Sequence, residues 1–471
     1  MTRSILSRAR VAIACLALLA ALAQASPDGA AAAPRARHPT RSASPYPGGG
    51  VSRPLARAAT SPGGAATPGG TTTPSGATTP SGATTPSGTT TPSSGTTTPS
   101  AAATPGSGSK PSKKPAKPTL KGDPLRALRA FEAMQSQYYV SGSGLYAGEP
   151  FSYLWPFSQA LAATVSMASI PHMPVSFAAE LHARLIGLRD YLDTNNSGAP
   201  EGAYTSTLSA FDGTVAPPTG PGGAKYYDDN DWVGIELARI YKQTHNAGAL
   251  GYAEGIMAFE MAGYSTDQTL ACPGGIPFSN GIENVERNTV TTAPAAELGV
   301  ELYKITGNAQ YLQFAEMAYN WVRACLLQPS GLYADHIRPH GVIDPTLWSY
   351  NQGTMIGAGT LLYQATGNGG YLYQARQTAQ AALAYFTPQR LGEENPFFPS
   401  VYFRNILYLD SVTHDPPGPK LAQAYVDYAW QHLRLSDNIF VAGSPASAQL
   451  LYQAAIVQIY ALLSSPPSTY F

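Results

Sequence analysis

The connections between helical stretches constrain this chain more than any other feature. Apolar residues recur at helical spacing near 124–138, 154–169, 174–193, 231–246, 248–263, 290–306, 308–325, 352–366, 368–386, 398–413, 418–435 and 444–463. Val233, Leu237, Ile240 and Tyr241 form one such face. Within pairs such as 290–306 with 308–325, only one or two residues intervene. Gly307-Asn308 and Gly367-Asn368 are tight-turn signals there. Between pairs lie long segments rich in Gly, Pro and aromatics: 194–230, 264–289, 326–351 and 387–397. A short link forces antiparallel neighbours. Six such hairpins side by side close into a ring, so the expected fold class is all-α, an (α/α)6 barrel. One helix of each hairpin then lines the centre, and the six inner helices share a rim at their N-termini. Pro294 is expected in the first turn of its helix, where a missing N–H costs nothing.

The ring needs only part of the 471 residues. Arg3, Arg8 and Arg10 precede an apolar run from Val11 to Leu22, too short to span a bilayer. Ala23-Gln24-Ala25 then fits a small-x-small cleavage site. Residues 1–25 are therefore expected to be a signal peptide, and the protein to be secreted or associated with the cell surface. Residues 26–121 contain a six-residue repeat, Pro74-Ser75-Gly76-Ala77-Thr78-Thr79 and its successors. Such a stretch cannot bury apolar surface and is expected to be a disordered linker. The catalytic domain is expected over 122–471, with no transmembrane segment in the mature chain.

The formal net charge of zero conceals an asymmetry. Residues 124–471 hold 16 basic and 27 acidic side chains. A domain of net charge −11 excludes nucleic acid as a partner, because phosphate contacts need a basic face. Of three cysteines, Cys15 lies in the leader. Cys272 and Cys325 form an even pair, and export permits a disulfide between them.

The expected inner helices begin near Leu154, Asp231, Val290, Gln352, Phe398 and Ser444. Close to these starts stand Tyr153-Leu154-Trp155, Tyr226-Tyr227-Asp228-Asp229-Asn230-Asp231-Trp232, Asn288-Thr289, Trp348-Ser349-Tyr350-Asn351-Gln352 and Asn395-Pro396-Phe397. Helix caps account for one polar residue per start. They do not account for the accompanying aromatics, or for three carboxylates at one start. Aromatics flanking paired carboxylates suit a site that stacks a sugar and does acid/base work on its glycosidic bond. Neighbouring Cα atoms are about 3.8 Å apart. Carboxyl groups there can reach the roughly 5–5.5 Å that a retaining glycosidase uses. Asp231 is expected to cap its helix, or to raise the pKa of the acid. Other chemistries fit poorly. The acidic run fails the calcium-loop pattern, the eight histidines lack zinc-ligand spacing, and no Gly-x-Ser-x-Gly elbow occurs. No metal and no cofactor are expected.

At these residues the chain resembles glycoside hydrolase family 76, the endo-α-1,6-mannanases. The shared motifs are Tyr226-Tyr227-Asp228-Asp229-Asn230 with Trp232, Gly274-Gly275-Ile276-Pro277, Ala293-Pro294-Ala295-Ala296-Glu297, Gly331-Leu332-Tyr333-Ala334-Asp335-His336 and Tyr350-Asn351-Gln352-Gly353. Phe278 stands where the family commonly has Trp. The resemblance implies an (α/α)6 barrel and a retaining mechanism, with Asp228 as nucleophile and Asp229 as general acid/base. It implies a mannan-type polysaccharide or mannose-containing glycoconjugate as substrate. Tyr227, Trp232, Trp155, Trp348 and Tyr350 are candidates for stacking sugars. Asn230, Asn288, Asn351, Gln352, Asp335 and His336 are candidates for holding hydroxyls. The expected activity is endo-acting hydrolysis of α-1,6-mannosidic linkages by a monomer. A transglycosylase using the same pair and a glycan-binding protein without catalysis are the alternatives.

Overall fold

The computed structural model describes residues 120–193, 208, 210–281, 285–415, 417–442 and 449–471. The expected signal peptide, the expected linker up to residue 119, and Ser444 at the start of the last expected helix lie outside the described residues.

Thirteen α-helices are described: α1 Gly122–Tyr138, α2 Leu154–Ala168, α3 Ala178–Leu188, α4 Tyr227–Thr244, α5 Ala247–Gly263, α6 Thr289–Thr306 and α7 Ala309–Leu326, followed by α8 Ser349–Thr366, α9 Gly369–Tyr385, α10 Pro388–Glu393, α11 Phe397–Thr413, α12 Gly418–Tyr428 and α13 Leu450–Ser464. Helices α2, α4, α6, α8, α11 and α13 each pack on the next, and α13 returns to α2. They are the inner ring. Helices α3, α5, α7, α9, α12 and α1 lie outside them, each against its own inner partner. The (α/α)6 barrel expected from the connections is the fold. The short helix α10 was not legible. It lies in the stretch 387–397, which reads as loop.

Burial separates the two rings. Every residue from Tyr227 to Ile240, Thr289 to Leu302, Ser349 to Leu362 and Phe397 to Asp410 is buried. A helix buried all round its circumference has other helices on every side. The outer helix α7 instead buries one stripe: Phe314, Ala315, Ala318, Tyr319, Trp321 and Val322.

The two ends of the inner helices differ. At their C-termini, His245, Gly307, Gly367 and His414 adopt the left-handed conformation. Three of the following outer helices are capped by asparagine side chains, those of Asn246, Asn308 and Asn368. At the N-termini, none of the residues Tyr153, Tyr226, Asn288, Trp348, Pro396 and Gln449 caps its helix with its side chain. The first amides bond instead to the loop of the next hairpin. Leu154 N donates to the Gly213 carbonyl (2.9 Å), Tyr227 N to Phe278 (3.2 Å) and Thr289 N to Asp335 (2.9 Å). Ser349 N donates to the Glu394 carboxylate (3.0 Å). These bonds stitch the long loops into a continuous rim.

Two short antiparallel ladders shape that rim. β1 (Leu192–Asp193) pairs with β2 (Ala210–Phe211). β3 (Arg287–Asn288), β4 (His336–Ile337) and β5 (Ile343–Asp344) form a second sheet. Cys272 and Cys325 are bonded, fastening the loop before β3 to α7. Beside that bridge Gly274 and Gly275 have positive φ and lie on the Trp321 ring, where a Cβ would fall within 2.7 Å and 2.4 Å of it. Pro294 corrects an expectation. It lies inside α6, which begins at Thr289, so its missing N–H removes a helical bond instead of costing nothing. Among the described residues no helix is long and apolar enough to cross a membrane.

Candidate active site

Asp228 and Asp229 occupy the first turn of α4, directly after Tyr227. Asp228 is 8% exposed and Asp229 is fully buried. Burial pushes the Asp228 carboxyl up to about 7. The backbone N–H groups of Asp229 and Asp228 oppose that shift, and the charge of Asp335 adds to it. The helix N-terminus therefore helps Asp228 ionise, as expected, but desolvation is the larger effect. One oxygen of Asp228, Oδ1, has no hydrogen-bond partner among the described residues.

Asp335 faces the pair from the loop before α8. Its Oδ1 accepts from Asn351 Nδ2 (3.1 Å), and its Oδ2 lies 3.0 Å from His336 Nδ1. Burial opposes a charge on His336, but the Asp335 hydrogen bond and the charges of Asp335, Asp344 and Glu286 outweigh it and raise the pKa. Asn288 is brought beside His336 by the β3–β4 ladder. Asn288 Oδ1 and Asn351 Oδ1 are buried acceptors with no partner among the described residues. The structure thus brings Asn288, Asp335, His336 and Asn351 to one side of the pair, with groups suited to sugar hydroxyls.

Two other amides bond to backbone groups. Asn230 Oδ1 accepts from Phe211 N (2.9 Å), and its Nδ2 donates to the carbonyls of Phe211 (2.9 Å) and Tyr226 (2.8 Å). Gln352 Oε1 accepts from Tyr333 N (2.8 Å), and its Nε2 donates to the carbonyls of Tyr333 (3.0 Å) and Trp348 (3.0 Å). Both side chains are fully buried. They anchor rim loops to inner helices, with both amide hydrogens of each engaged by backbone carbonyls.

The aromatics divide in the same way. The ring of Tyr227 stacks on Phe259 of α5 (4.4 Å, 12°) and lies against Gly263, inside the hairpin. The preceding tyrosine takes the rim position. Tyr226 is half-buried, edge-on to Phe278 (5.5 Å). Burial raises its pKa, and the charges of Asp229 and Asp228 raise it further, so it stands beside the pair. Trp155 and Trp232 converge from α2 and α4. They meet Phe397 edge-on at 5.2 and 5.5 Å and are 8% and 4% exposed, so they form packed floor and not open platforms. Tyr350 lies 4.2 Å from Phe398 and is buried, with Asp335 and Asp228 as charged neighbours. Trp348, half-buried, rests edge-on against Phe398 (5.3 Å). Phe397 and Phe398 are thus the hub of the floor. They were not among the expected site residues, although the Asn395-Pro396-Phe397 rim motif marked their place.

Asp231 is neither a cap nor a surface charge. It lies one turn inside α4 from Asp228, fully buried. Glu260 of α5 is fully buried and Glu297 of α6 almost so. Both oxygens of Glu260 lack a hydrogen-bond partner among the described residues, and at Asp231 the Ala295 backbone N–H opposes burial without outweighing it. Burial raises all three groups well above the usual carboxyl range. Each of Asp231 and Glu260 is raised further by acidic neighbours: Asp228 and Glu297 act on Asp231, and Asp231 and Asp228 on Glu260. Two ion-pair clusters lie further along the inner helices. There Glu236 binds Arg239 and Arg404, both at 2.6 Å, and Glu301 binds Lys242 and Lys304, both at 2.7 Å. No group of three His, Cys, Asp or Glu among the described residues is arranged to hold a metal ion.

The sequence profile of glycosyl hydrolase family 76 matches residues 130–405, more than half of the chain. The chain belongs to glycosyl hydrolase family 76. The mannan endo-1,6-alpha-mannosidase DCW1 of Saccharomyces cerevisiae is 25% identical over 126 residues, 25% of this chain and 28% of the yeast protein. The chain thus matches under a third of that relative's length. A family 76 mannosidase of Bacteroides thetaiotaomicron shares the fold with a TM-score of 0.63 at 20% identity, over 73% of this chain and 98% of that one. An inactive variant of the alpha-1,6-mannanase GH76A of Salegentibacter sp. HEL1_6, solved with α-1,6-mannotriose, has a TM-score of 0.59 at 20% identity, over 73% and 99%. That variant carries asparagine in place of two adjacent aspartates.

Proposed function

We propose that this family 76 member is an endo-acting glycoside hydrolase that cleaves α-1,6-mannosidic linkages with retention. The observation that carries the reading is the pair Asp228 and Asp229 on the first turn of an uncapped inner helix, faced by unpartnered amide oxygens and aromatic rings. Asp228 attacks the anomeric carbon as its glycosidic bond breaks. Asp229 gives its proton to the leaving oxygen. A mannosyl ester on Asp228 results, and Asp229, now ionised, takes a proton from the water that releases it. A carboxyl that titrates near 7 is a weak nucleophile until it ionises. The positive charge developing on the sugar ring favours that ionisation in the transition state. Asn288, Asn351, Asp335 and His336 orient the mannosyl hydroxyls, and Trp348 and Tyr226 flank the chain.

The folded unit is held to be the catalytic domain. Residues 1–25 act as an export signal, and 26–121 as a linker that places the domain in the secreted or cell-surface space. A mannan-type polymer is the substrate there. The test is hydrolysis of linear α-1,6-mannan by the full chain, against Asp228→Asn and Asp229→Asn. The wild type is expected to release oligosaccharides, and each variant to lose at least a thousandfold in rate, about 4 kcal/mol of transition-state stabilisation. Undiminished activity in either variant contradicts the assignment.

A further inference from the structure

The N-cap of α2 is occupied by an exposed tyrosine that does not cap. Tyr153 makes no capping hydrogen bond, and its side chain is 48% exposed. N-cap positions favour Ser, Thr, Asp and Asn, because these accept a bond from the helix amides. Tyr153 therefore gives its helix nothing that a smaller residue would not give better. Its backbone is nonetheless tightly held. Ser152 N donates to the Tyr146 carbonyl (3.0 Å), and the Ser152 carbonyl accepts from the Tyr191 hydroxyl (2.7 Å). Leu154 N donates to the Gly213 carbonyl (2.9 Å).

Gly213 links this position to the reacting groups. A Cβ there would lie 2.8 Å from the Tyr226 ring, so that ring rests directly on the Gly213 backbone. Tyr226 senses the Tyr153 hydroxyl on one side and the two aspartates on the other. The other exposed tyrosines among the described residues, Tyr373 and Tyr428, sit on the outer helices α9 and α12. Tyr153 is thus an exposed ring on a held backbone at the rim, next to the aromatic beside the carboxyl pair.

We propose that Tyr153 is the platform of an outer sugar subsite, on which a hexopyranose of the bound chain stacks. The inference rests on the proposed function and goes beyond it by assigning where a chain longer than the reacting units is held. An aromatic face with a fixed backbone takes a pyranose ring at little ordering cost.

The test is binding of α-1,6-mannooligosaccharides to the full chain carrying Asp228→Asn, by titration calorimetry, with and without Tyr153→Ala or Tyr153→Phe. Tyr153→Ala is expected to weaken mannohexaose binding about fivefold or more, the scale of one aromatic contact. It should weaken mannobiose less. Tyr153→Phe should recover most of the loss, because stacking uses the ring and not the hydroxyl. Tyr373→Ala serves as the control and should leave the affinity where it is. Mannohexaose affinity within twofold of the parent for Tyr153→Ala, or equal losses for Ala and Phe, overturns the subsite alone. A parent chain that binds none of these sugars, with a wild type that cleaves no mannan, overturns the proposed function and the subsite with it.

Discussion

Asn351 on α8 donates a 3.1 Å hydrogen bond to the carboxylate of Asp335 on the preceding loop, and that carboxylate raises the pKa of Asp228 on α4. Three parts of the rim are thereby joined electrostatically. Replacing Asp335 by asparagine removes a negative charge from the neighbourhood of Asp228, so the Asp228 pKa should fall. The acidic limb of the kcat/KM profile is expected to move to lower pH. The rate at the optimum should drop about tenfold, the size of one hydrogen bond to a charged group. A pH–rate profile checks both. An acidic limb that stays in place or moves upward contradicts the coupling.

Asp231 and Glu260 carry a second consequence. Their folded-state pKa values are raised, mainly by burial. Such groups contribute full stability below the unfolded carboxyl pKa, about 4, and that stability is lost as pH rises toward the folded values. Wild-type stability should therefore decline as pH rises from 4 to 8. Asp231→Asn and Glu260→Gln are neutral at every pH and should each remove part of that slope, about 1.4 kcal/mol per pH unit for one proton. Denaturant unfolding across this range measures it. A stability difference between variant and wild type that does not change with pH contradicts the neutral-acid assignment.

Glu394 supports the rim at α8. Its carboxylate accepts from Ser349 N at 3.0 Å and from Ser349 Oγ. Burial raises its pKa to about 7, against the pull of these two bonds. Glu394→Ala leaves both donors without their acceptor and should cost about 1–3 kcal/mol in stability. It should also raise KM, because Tyr350 and Asn351 follow Ser349 directly. Glu394→Gln keeps an acceptor oxygen and should recover most of the stability. Urea unfolding and initial rates test the pair of variants. Equal stability of Glu394→Ala and wild type contradicts the role.

Much of this molecule was legible before any coordinates, and the boundary of what was legible is physical. Gly307-Asn308 and Gly367-Asn368 marked tight turns because a left-handed residue followed by an asparagine cap has few other uses. From such turns the ring and its shared rim followed. Asp228 and Asp229 stood out because crowded carboxylates need a purpose. Which neighbour faces the cleft was not legible. Successive helical side chains diverge by about 100°, so Tyr226 reaches the rim while Tyr227 turns into the hairpin. Asn230 and Asn288 look alike as sequence. One is consumed by the Phe211 and Tyr226 backbone, and the other keeps an open oxygen. Phe397 became the hub of the floor only when Trp155 and Trp232, far apart in the chain, met it from two sides. Asp231 read as a cap because its helix was expected to begin four residues too late.

The central claim is that Asp228 forms a covalent mannosyl intermediate while Asp229 serves as acid and then base. Proton NMR of the first product released from α-1,6-mannan, recorded before mutarotation, tests it most directly. With retention, the new reducing end appears as the α-anomer and only later equilibrates. A product that appears first as the β-anomer would contradict it.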